Sequence, residues 1–277
     1  MTAIRVRGLR KTYGSLDAVA GLDLDVPPGE VFALLGPNGA GKTTTVEILE
    51  GHRRRSAGKV SVLGADPGHA DRRWRARIGI VLQSASDLGD LTVAEAVRHI
   101  AGCYPRPRPP GEVIELVGLT GKAKSLVRTL SGGQRRRLDV ALGIVGRPEL
   151  LFLDEPTTGF DPEARRRFWE LIRTLSAEGV TIVLTTHYLD EAEALAHRLA
   201  VIARGAVVAE GTPATLGGRA TAEALVRWDG RQERTADPAA LVVRLAAGGA
   251  DLSALTVTRP TLEDVYLGLI SDAGAGR

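Results

Sequence analysis

The chain has 277 residues, of which 44% are hydrophobic and 25% charged, and its formal net charge is +3. This composition is typical of one large or two smaller globular domains, and it argues against a mostly disordered, collagen-like or coiled-coil chain. We expect a cytoplasmic protein, because no apolar run approaches the roughly 18–20 residues of a membrane-spanning helix and no signal-peptide pattern is present; the single cysteine makes disulfide or zinc chemistry unexpected.

The N-terminal region predicts strands, then a loop and a helix. Alternating apolar residues over 4–9 and 22–26 indicate two short strands beside a turn at Tyr13-Gly14. The run 31–35 is wholly apolar, as expected for a strand buried on both faces of a parallel sheet. A glycine-rich loop comes next and a helical pattern follows directly. This region therefore predicts the succession strand, loop, helix.

The glycine-rich loop fits the pattern GxxxxGK[ST] in the strand-loop-helix context that this motif requires. Glycines let the backbone curl, so that successive N–H groups and the helix N-terminus point at phosphate oxygens. Lys42 would bring a positive charge to the β- and γ-phosphates, and Thr43 would offer its hydroxyl to Mg²⁺. The predicted phosphate-binding residues are Gly36, Pro37, Asn38, Gly39, Ala40, Gly41, Lys42, Thr43 and Thr44.

A separate helical layer is predicted between residues 91 and 128. It opens with Thr92 and Glu95, which have the spacing of a capping box. The proline-rich segment 105–110 interrupts it.

A second glycine motif follows this layer. Ser131, Gly132, Gly133 and Gln134 stand at the start of another helical pattern. A serine and two glycines at a helix N-terminus create an anion-binding end that is separate from the first loop. The chain therefore carries two predicted phosphate-recognition ends.

Two acidic residues, Asp154 and Glu155, end the apolar strand predicted at 150–153. Parallel sheets bind ligands at the carboxyl ends of their strands. Asp154 is the predicted Mg²⁺ ligand, and Glu155 is the predicted general base that polarises the attacking water. The simpler alternative is that both acids only cap the following turn, 156–159.

Strands and helices continue to alternate towards residue 211. In chain order we predict a helix that starts at Asp161-Pro162, a buried strand over 180–185, a helix near 189–197 and a hairpin over 199–209. This alternation indicates an α/β sheet with helices on both faces.

The composition changes near residue 212, and we expect a small C-terminal α+β domain there. It contains a strand-like stretch at 223–228, a helical one at 238–247 and a mixed end at 255–270. The predicted domains are therefore 1–211 and 212–277.

The order of motifs over residues 4–210 resembles that of the nucleotide-binding subunits of ATP-binding cassette (ABC) transporters, and the segment 130–134 carries the resemblance most strongly. The resemblance implies a P-loop NTPase fold with a mixed sheet core and a helical subdomain over about 84–135. It also implies a head-to-tail dimer that binds ATP and Mg²⁺. In that dimer, Ser131, Gly132, Gly133 and Gln134 of one copy close over the ATP held by the P-loop of the other.

The same resemblance assigns roles to four further residues. Tyr13 stands where an aromatic ring stacks on adenine, and Gln83 matches the glutamine that reaches Mg²⁺ and the attacking water. Asp161 lies in the loop that passes between the two sites, where Phe160 replaces the more usual leucine. His187 matches the histidine that contacts the γ-phosphate. The alternative for Tyr13 is an ordinary aromatic beside a turn, and for His187 a capping or surface residue.

The resemblance further implies a separate integral membrane permease, gripped through the helical layer, so that the chain lies on the inner face of the cell membrane. The segment 259–267 is similar to the tail of ATP-binding subunits of bacterial drug and antibiotic exporters. The alternatives are a subunit of an importer or of a lipid or polysaccharide exporter, and a soluble ABC ATPase that acts on ribosomes or DNA.

A nucleic-acid partner is not expected. The isoelectric point is 9.2, but only five of the 36 Lys and Arg residues are lysines, so arginine usage raises this value without a large net charge. Solvated helix faces are the simpler interpretation of the scattered arginine runs at 53–55, 72–77, 135–137 and 165–167.

Overall fold

The computed structural model describes residues 2–81 and 88–275. Its strands are β1 (Ile4–Tyr13), β2 (Leu16–Val26), β3 (Val31–Leu35), β4 (Ala57–Val62), β5 (Ile78–Val81), β6 (Leu150–Asp154), β7 (Thr181–Thr185), β8 (Arg198–Ala203), β9 (Ala206–Gly211), β10 (Ala224–Trp228), β11 (Arg231–Thr235) and β12 (Thr256–Thr258). Its α-helices are α1 (Lys42–Leu49), α2 (Arg72–Arg75), α3 (Val93–Ala101), α4 (Pro110–Leu116), α5 (Gly132–Ile144), α6 (Pro162–Ala177), α7 (Leu189–Leu195), α8 (Pro238–Ala247) and α9 (Leu262–Ala275).

A six-stranded sheet with the order β5-β6-β7-β3-β8-β9 forms the centre of the fold. Its neighbouring strands are parallel except for β8 and β9, which form an antiparallel hairpin. Alternate residues of β3 enter two different cores, with Phe32 and Leu34 on one side and Val31, Ala33 and Leu35 on the other. The sheet is therefore buried on both faces, as its unbroken apolar run predicts.

One face of the central sheet is covered by α1 and by an antiparallel sheet with the order β2-β1-β4. Val6, Leu24 and Val62 from these three strands share a core with Phe152 of β6. The pairing of β1 with β2 changes register between Val6 and Leu9, a β-bulge or irregularity of the kind that bends a strand. This sheet carries the β1–β2 hairpin at whose turn Tyr13 lies.

The other face is covered by helices α3 to α6. Leu138 and Ile144 of α5 pack into the same core as Phe168 and Leu175 of α6. Helix α3 begins with the predicted capping box, in which Thr92 and Glu95 hydrogen-bond each other's backbone N–H. These helices form the layer from which the second glycine motif projects.

The C-terminal region forms a smaller antiparallel sheet with the order β11-β10-β12. Val226, Trp228 and Leu241 form a separate small core between this sheet and α8. Helix α9 packs back on the rest of the chain, since Leu262 is buried in the core of α3 to α6. The division into residues 1–211 and 212–277 stays a prediction.

The predicted fold class, an α/β P-loop NTPase with a mixed sheet, is confirmed. Strand β11 was not predicted, because none of its residues is apolar and it has no buried side. The mixed end at 255–270 separates into β12 and most of α9. No helix within 2–81 and 88–275 is long and apolar enough to span a bilayer.

Candidate functional site

The glycine-rich loop passes from β3 to α1 in close contact with neighbouring backbone. A Cβ added to Gly36 would lie 2.3 Å from the carbonyl oxygen of Ile202, and one added to Gly41 would lie 2.3 Å from that of Ala18. Gly41 also has a φ of +100°, which side chains rarely tolerate. Both positions therefore require glycine. The loop keeps the shape in which the N-terminus of α1 can face a phosphate.

Lys42, the first residue of α1, folds back over this loop. Its side chain is buried, and Nζ donates to the carbonyl oxygens of Gly36 at 2.7 Å and Pro37 at 3.1 Å. Burial lowers the pKa of Lys42, an effect opposed by the nearby carboxylates of Glu155 and Asp154. A cation held inside a glycine-lined cradle is the arrangement that a phosphate chain fits, since phosphate oxygens can replace the two carbonyl acceptors.

The acid pair lies at the carboxyl end of β6, on the edge of the sheet where β3 enters the phosphate loop. Asp154 is paired with Thr185 of β7, and the Thr185 hydroxyl donates to Asp154 Oδ1. Glu155 has a φ of 44°, and its N–H donates to the Thr185 carbonyl oxygen at 3.0 Å. The contact of Glu155 Oε2 with the following turn, through the Thr158 hydroxyl at 3.5 Å, is weak. Capping of that turn therefore accounts for little of this carboxylate's surroundings.

Glu155 and His187 come together across the ends of β6 and β7. Glu155 Oε1 lies 3.2 Å from His187 Nδ1, and their side chains are 20% and 44% exposed. The His187 ring also lies 4.0 Å from the Tyr188 ring, centroid to centroid. A largely buried carboxylate beside an imidazole can accept a proton from water, with the imidazole close enough to orient it. Sequence reasoning named both residues but could not predict this contact.

The second glycine motif forms the exposed N-terminus of α5. The Ser131 hydroxyl accepts from the Gln134 N–H at 3.3 Å, and Gln134 Oε1 accepts from the Ser131 N–H at 3.1 Å. This reciprocal capping box holds the first turn in place. Gly132 and Gly133 lie within that turn, where their N–H groups have no partner along the helix. This exposed helix end therefore has the free N–H donors that an anion site requires.

Two other predicted residues have local contacts of their own, and a third lies outside the described residues. Tyr13 is 40% exposed, with Lys11 Nζ 4.9 Å and the Arg53 guanidinium 5.5 Å from its ring centroid. Asp161 caps α6 by accepting from the Ala164 N–H at 2.8 Å. Gln83 lies outside the described residues.

Arg136 is a residue whose role sequence reasoning missed. The interpretation of its arginine run as a solvated helix face is wrong at this position, because Arg136 is 8% exposed. Its guanidinium donates to the carbonyl oxygens of Asp154 at 2.5 Å and Pro156 at 3.1 Å. It therefore ties α5, which begins at the second glycine motif, to the backbone of the acid pair. The three consecutive arginines look alike in the sequence and give no signal for this.

The donor set near the phosphate loop suits Mg²⁺. Thr43 presents an exposed hydroxyl on the first turn of α1, and Asp154 presents a partly exposed carboxylate. Both are oxygen ligands, which Mg²⁺ prefers. Within 2–81 and 88–275 there is no group of three His, Cys, Asp or Glu residues that could hold a metal. Mg²⁺ in nucleotide sites is commonly bound by one or two protein oxygens together with phosphates.

The chain is similar in sequence to one protein family and to several known proteins. The family model described as "ABC transporter" matches residues 19–158. Nod factor export ATP-binding protein I of Ralstonia nicotianae is 47% identical over 217 residues, which cover 76% of this chain and 67% of that protein. The daunorubicin/doxorubicin resistance ATP-binding protein DrrA of Streptomyces peucetius is 46% identical, with 77% and 66% covered. The chain spans about two thirds of the length of these relatives.

Solved structures share the fold. One described as the ATP binding subunit of an ABC transporter covers 97% of this chain and 99% of its own, with a TM-score of 0.73 and 23% identity. The dimeric structure of a bacterial ABC transporter cassette covers 76% of this chain and 98% of its own, with a TM-score of 0.69 and 24% identity.

Proposed function

Because the chain belongs to the ABC transporter family, we propose that its ATPase activity powers a separate membrane permease that exports a drug, an antibiotic or another hydrophobic compound. The ATPase part of this proposal is supported by one observation: the predicted catalytic groups lie together at one end of the central sheet. The phosphate loop follows β3, and the Glu155–His187 pair follows β6 and β7, all at carboxyl ends of parallel strands.

The proposed reaction is hydrolysis of ATP at this edge. Lys42 exchanges its two loop carbonyls for β- and γ-phosphate oxygens, because its amine is already held inside the cradle. Thr43 and Asp154 would hold Mg²⁺, which would neutralise phosphate charge, and Gln83 is proposed to join them. Glu155 accepts a proton from the attacking water, and His187, with Nδ1 3.2 Å from the carboxylate, helps to orient it.

We assign the second glycine motif to a second copy of the chain. Its helix end is exposed, pre-formed by the Ser131–Gln134 box, and suited to an anion. Closure of two copies would bring this end onto the ATP of the other copy, with Asp161 between the two sites and Tyr13 against the adenine. The arrangement makes ATP binding a signal for closure and hydrolysis a signal for opening.

Export is the direction supported by the relatives. Proteins at 46–47% identity are named for Nod factor export and for daunorubicin resistance. The segment 259–267, at the start of α9, also resembles the tail of drug-exporter subunits. A permease would hold the chain at the inner face of the membrane. An exporter of lipids or polysaccharides, or an importer, would use the same catalytic residues and differ in the permease.

The catalytic proposal is tested by ATPase rates of three purified proteins: the parent, Glu155→Gln and Lys42→Ala. We expect Glu155→Gln to bind MgATP but to lose about 10²–10⁴-fold in rate, since it can no longer accept the proton. Lys42→Ala should lose affinity for ATP in calorimetry. Hydrolysis by Glu155→Gln at the parental rate would refute the general-base role, and unchanged ATP affinity of Lys42→Ala would refute the phosphate role.

The export proposal is tested in cells that express the chain together with the membrane protein encoded beside it. Efflux of daunorubicin that requires the parent chain and is lost with Lys42→Ala would support it. A Lys42-dependent uptake instead of efflux would contradict it.

A further inference from the structure

We propose that Thr185 is a positioning residue whose hydroxyl sets the Asp154 carboxylate and the Glu155 backbone together, so that metal ligand and general base are aligned by one buried group. This inference rests on the proposed roles of Asp154 and Glu155. No sequence motif assigned Thr185 a role.

The position of Thr185 follows from the pairing of two parallel strands. It is the last residue of β7, lies directly opposite Asp154 of β6, and is completely buried. Its hydroxyl donates to Asp154 Oδ1 and accepts from the Glu155 N–H at 3.2 Å. Its carbonyl oxygen accepts from the same N–H at 3.0 Å. One residue therefore contacts both acids.

The chemistry of these groups fixes the direction of each hydrogen bond. An ionised carboxylate can only accept and a backbone N–H can only donate, so the hydroxyl must donate to Asp154 and accept from Glu155. A hydroxyl with both contacts made cannot rotate without breaking one of them. Asp154 Oδ1 is thus engaged by Thr185.

The backbone of Glu155 needs such an anchor. Its φ of 44° lies in the left-handed region, which residues other than glycine occupy only when the surrounding structure holds them there. The two acceptors of Thr185 hold the Glu155 N–H in this conformation, and the side chain is thereby directed toward His187, 3.2 Å away. Loss of the hydroxyl removes its bond to Asp154 and one of the two acceptors of the Glu155 N–H, and leaves the carbonyl acceptor in place.

The same strand supplies a matched control. Thr181, at the other end of β7, is 2% exposed, and its hydroxyl accepts from the Gly29 N–H at 3.0 Å. Thr181→Val and Thr185→Val each remove one buried hydroxyl from β7. Only Thr185→Val removes a contact with the acids. A purely structural role of Thr185 predicts similar effects for both variants.

The experiment compares Thr185→Val, Thr185→Ser and Thr181→Val with the parent. Mn²⁺ serves as the metal probe, and its affinity is measured by electron paramagnetic resonance with a non-hydrolysable ATP analogue present. We expect Thr185→Val to weaken Mn²⁺ binding and to lower kcat by about 10-fold or more each, as loss of a group that orients a metal ligand does. Binding of ATP in EDTA should be unchanged.

Two control variants distinguish a positioning role of Thr185 from a purely structural one. Thr185→Ser keeps the hydroxyl and should restore Mn²⁺ affinity and kcat to within about 3-fold of the parent, whereas Thr181→Val should leave both within about 2-fold. Parental Mn²⁺ affinity in Thr185→Val, an equal loss in Thr181→Val, or no rescue by serine would overturn the proposal. If Thr185→Val does not fold, Thr185→Ala takes its place with the same expectations.

A separate variant tests the metal role of Asp154 independently of the positioning role of Thr185. Asp154→Asn should weaken Mn²⁺ binding at least as much as Thr185→Val. If Asp154→Asn binds Mn²⁺ like the parent, the metal role of Asp154 is wrong. If Asp154→Asn fails to bind and Thr185→Val binds normally, only the role of Thr185 is wrong.

Discussion

Replacement of Arg136 by methionine should destabilise the protein and disturb the acid pair through the backbone that carries it. Methionine replaces only the aliphatic part of arginine and donates nothing to the carbonyl oxygens of Asp154 and Pro156. Each hydrogen bond from a charged donor contributes about 1.5–3 kcal/mol. Part of this is offset, because burial lowers the pKa of Arg136 and the charge is costly to hold there.

We therefore expect Arg136→Met to lose about 2–3 kcal/mol in the free energy of unfolding, measured by urea denaturation. Arg166→Met, on the exposed side of α6, is the control and should change it by less than about 0.5 kcal/mol. The ATPase rate of Arg136→Met should fall as well, since the link between α5 and the end of β6 is lost. Equal stability of Arg136→Met and Arg166→Met would refute the reasoning.

Two further predictions concern the phosphate loop and a buried acid. Gly41→Ala should abolish ATP binding, measured by calorimetry, and lower the free energy of unfolding by about 1–3 kcal/mol, measured by urea denaturation, because its Cβ would meet the Ala18 carbonyl. The control Gly121→Ala places its Cβ in open space and should change neither quantity. Burial, with the charge of Asp154, raises the pKa of Glu50 to about 8, so the parent should lose stability as the pH rises from about 4.5 to about 8. The Glu50→Gln side chain does not titrate, so urea denaturation should show this variant to be more stable than the parent by about 1 kcal/mol or more at pH 8. This difference should vanish below pH 4.5, and equal stability at pH 8 would contradict the reasoning.

The elements that the sequence predicted best are those whose pattern has a single physical cause. Strands β3, β6 and β7 are buried on both faces and therefore contain the apolar runs 31–35, 150–153 and 182–184. The phosphate loop was predicted because only glycine can pass so close to neighbouring backbone. Strand β11 was missed because its exposed residues carry no apolar signal.

The parts of the site that could not be predicted depend on strand pairing and helix packing. Nothing in the sequence states that β6 lies beside β7 with Asp154 opposite Thr185. The burial of Arg136 depends on how α5 meets the end of β6, and Arg135 and Arg137 on either side give the same local pattern. Individual chemical roles could thus be predicted from motifs, but the contacts that orient those groups could not.

The central claim is that ATP closes two copies of this chain and that Glu155 is needed to open them. The most direct measurement is the mass of Glu155→Gln in solution, by sedimentation or light scattering, with and without MgATP. We predict one chain of 29.3 kDa without nucleotide and twice that mass with MgATP, a shift that Lys42→Ala in the same background abolishes. A Glu155→Gln protein that binds MgATP fully and keeps the mass of one chain would contradict the account.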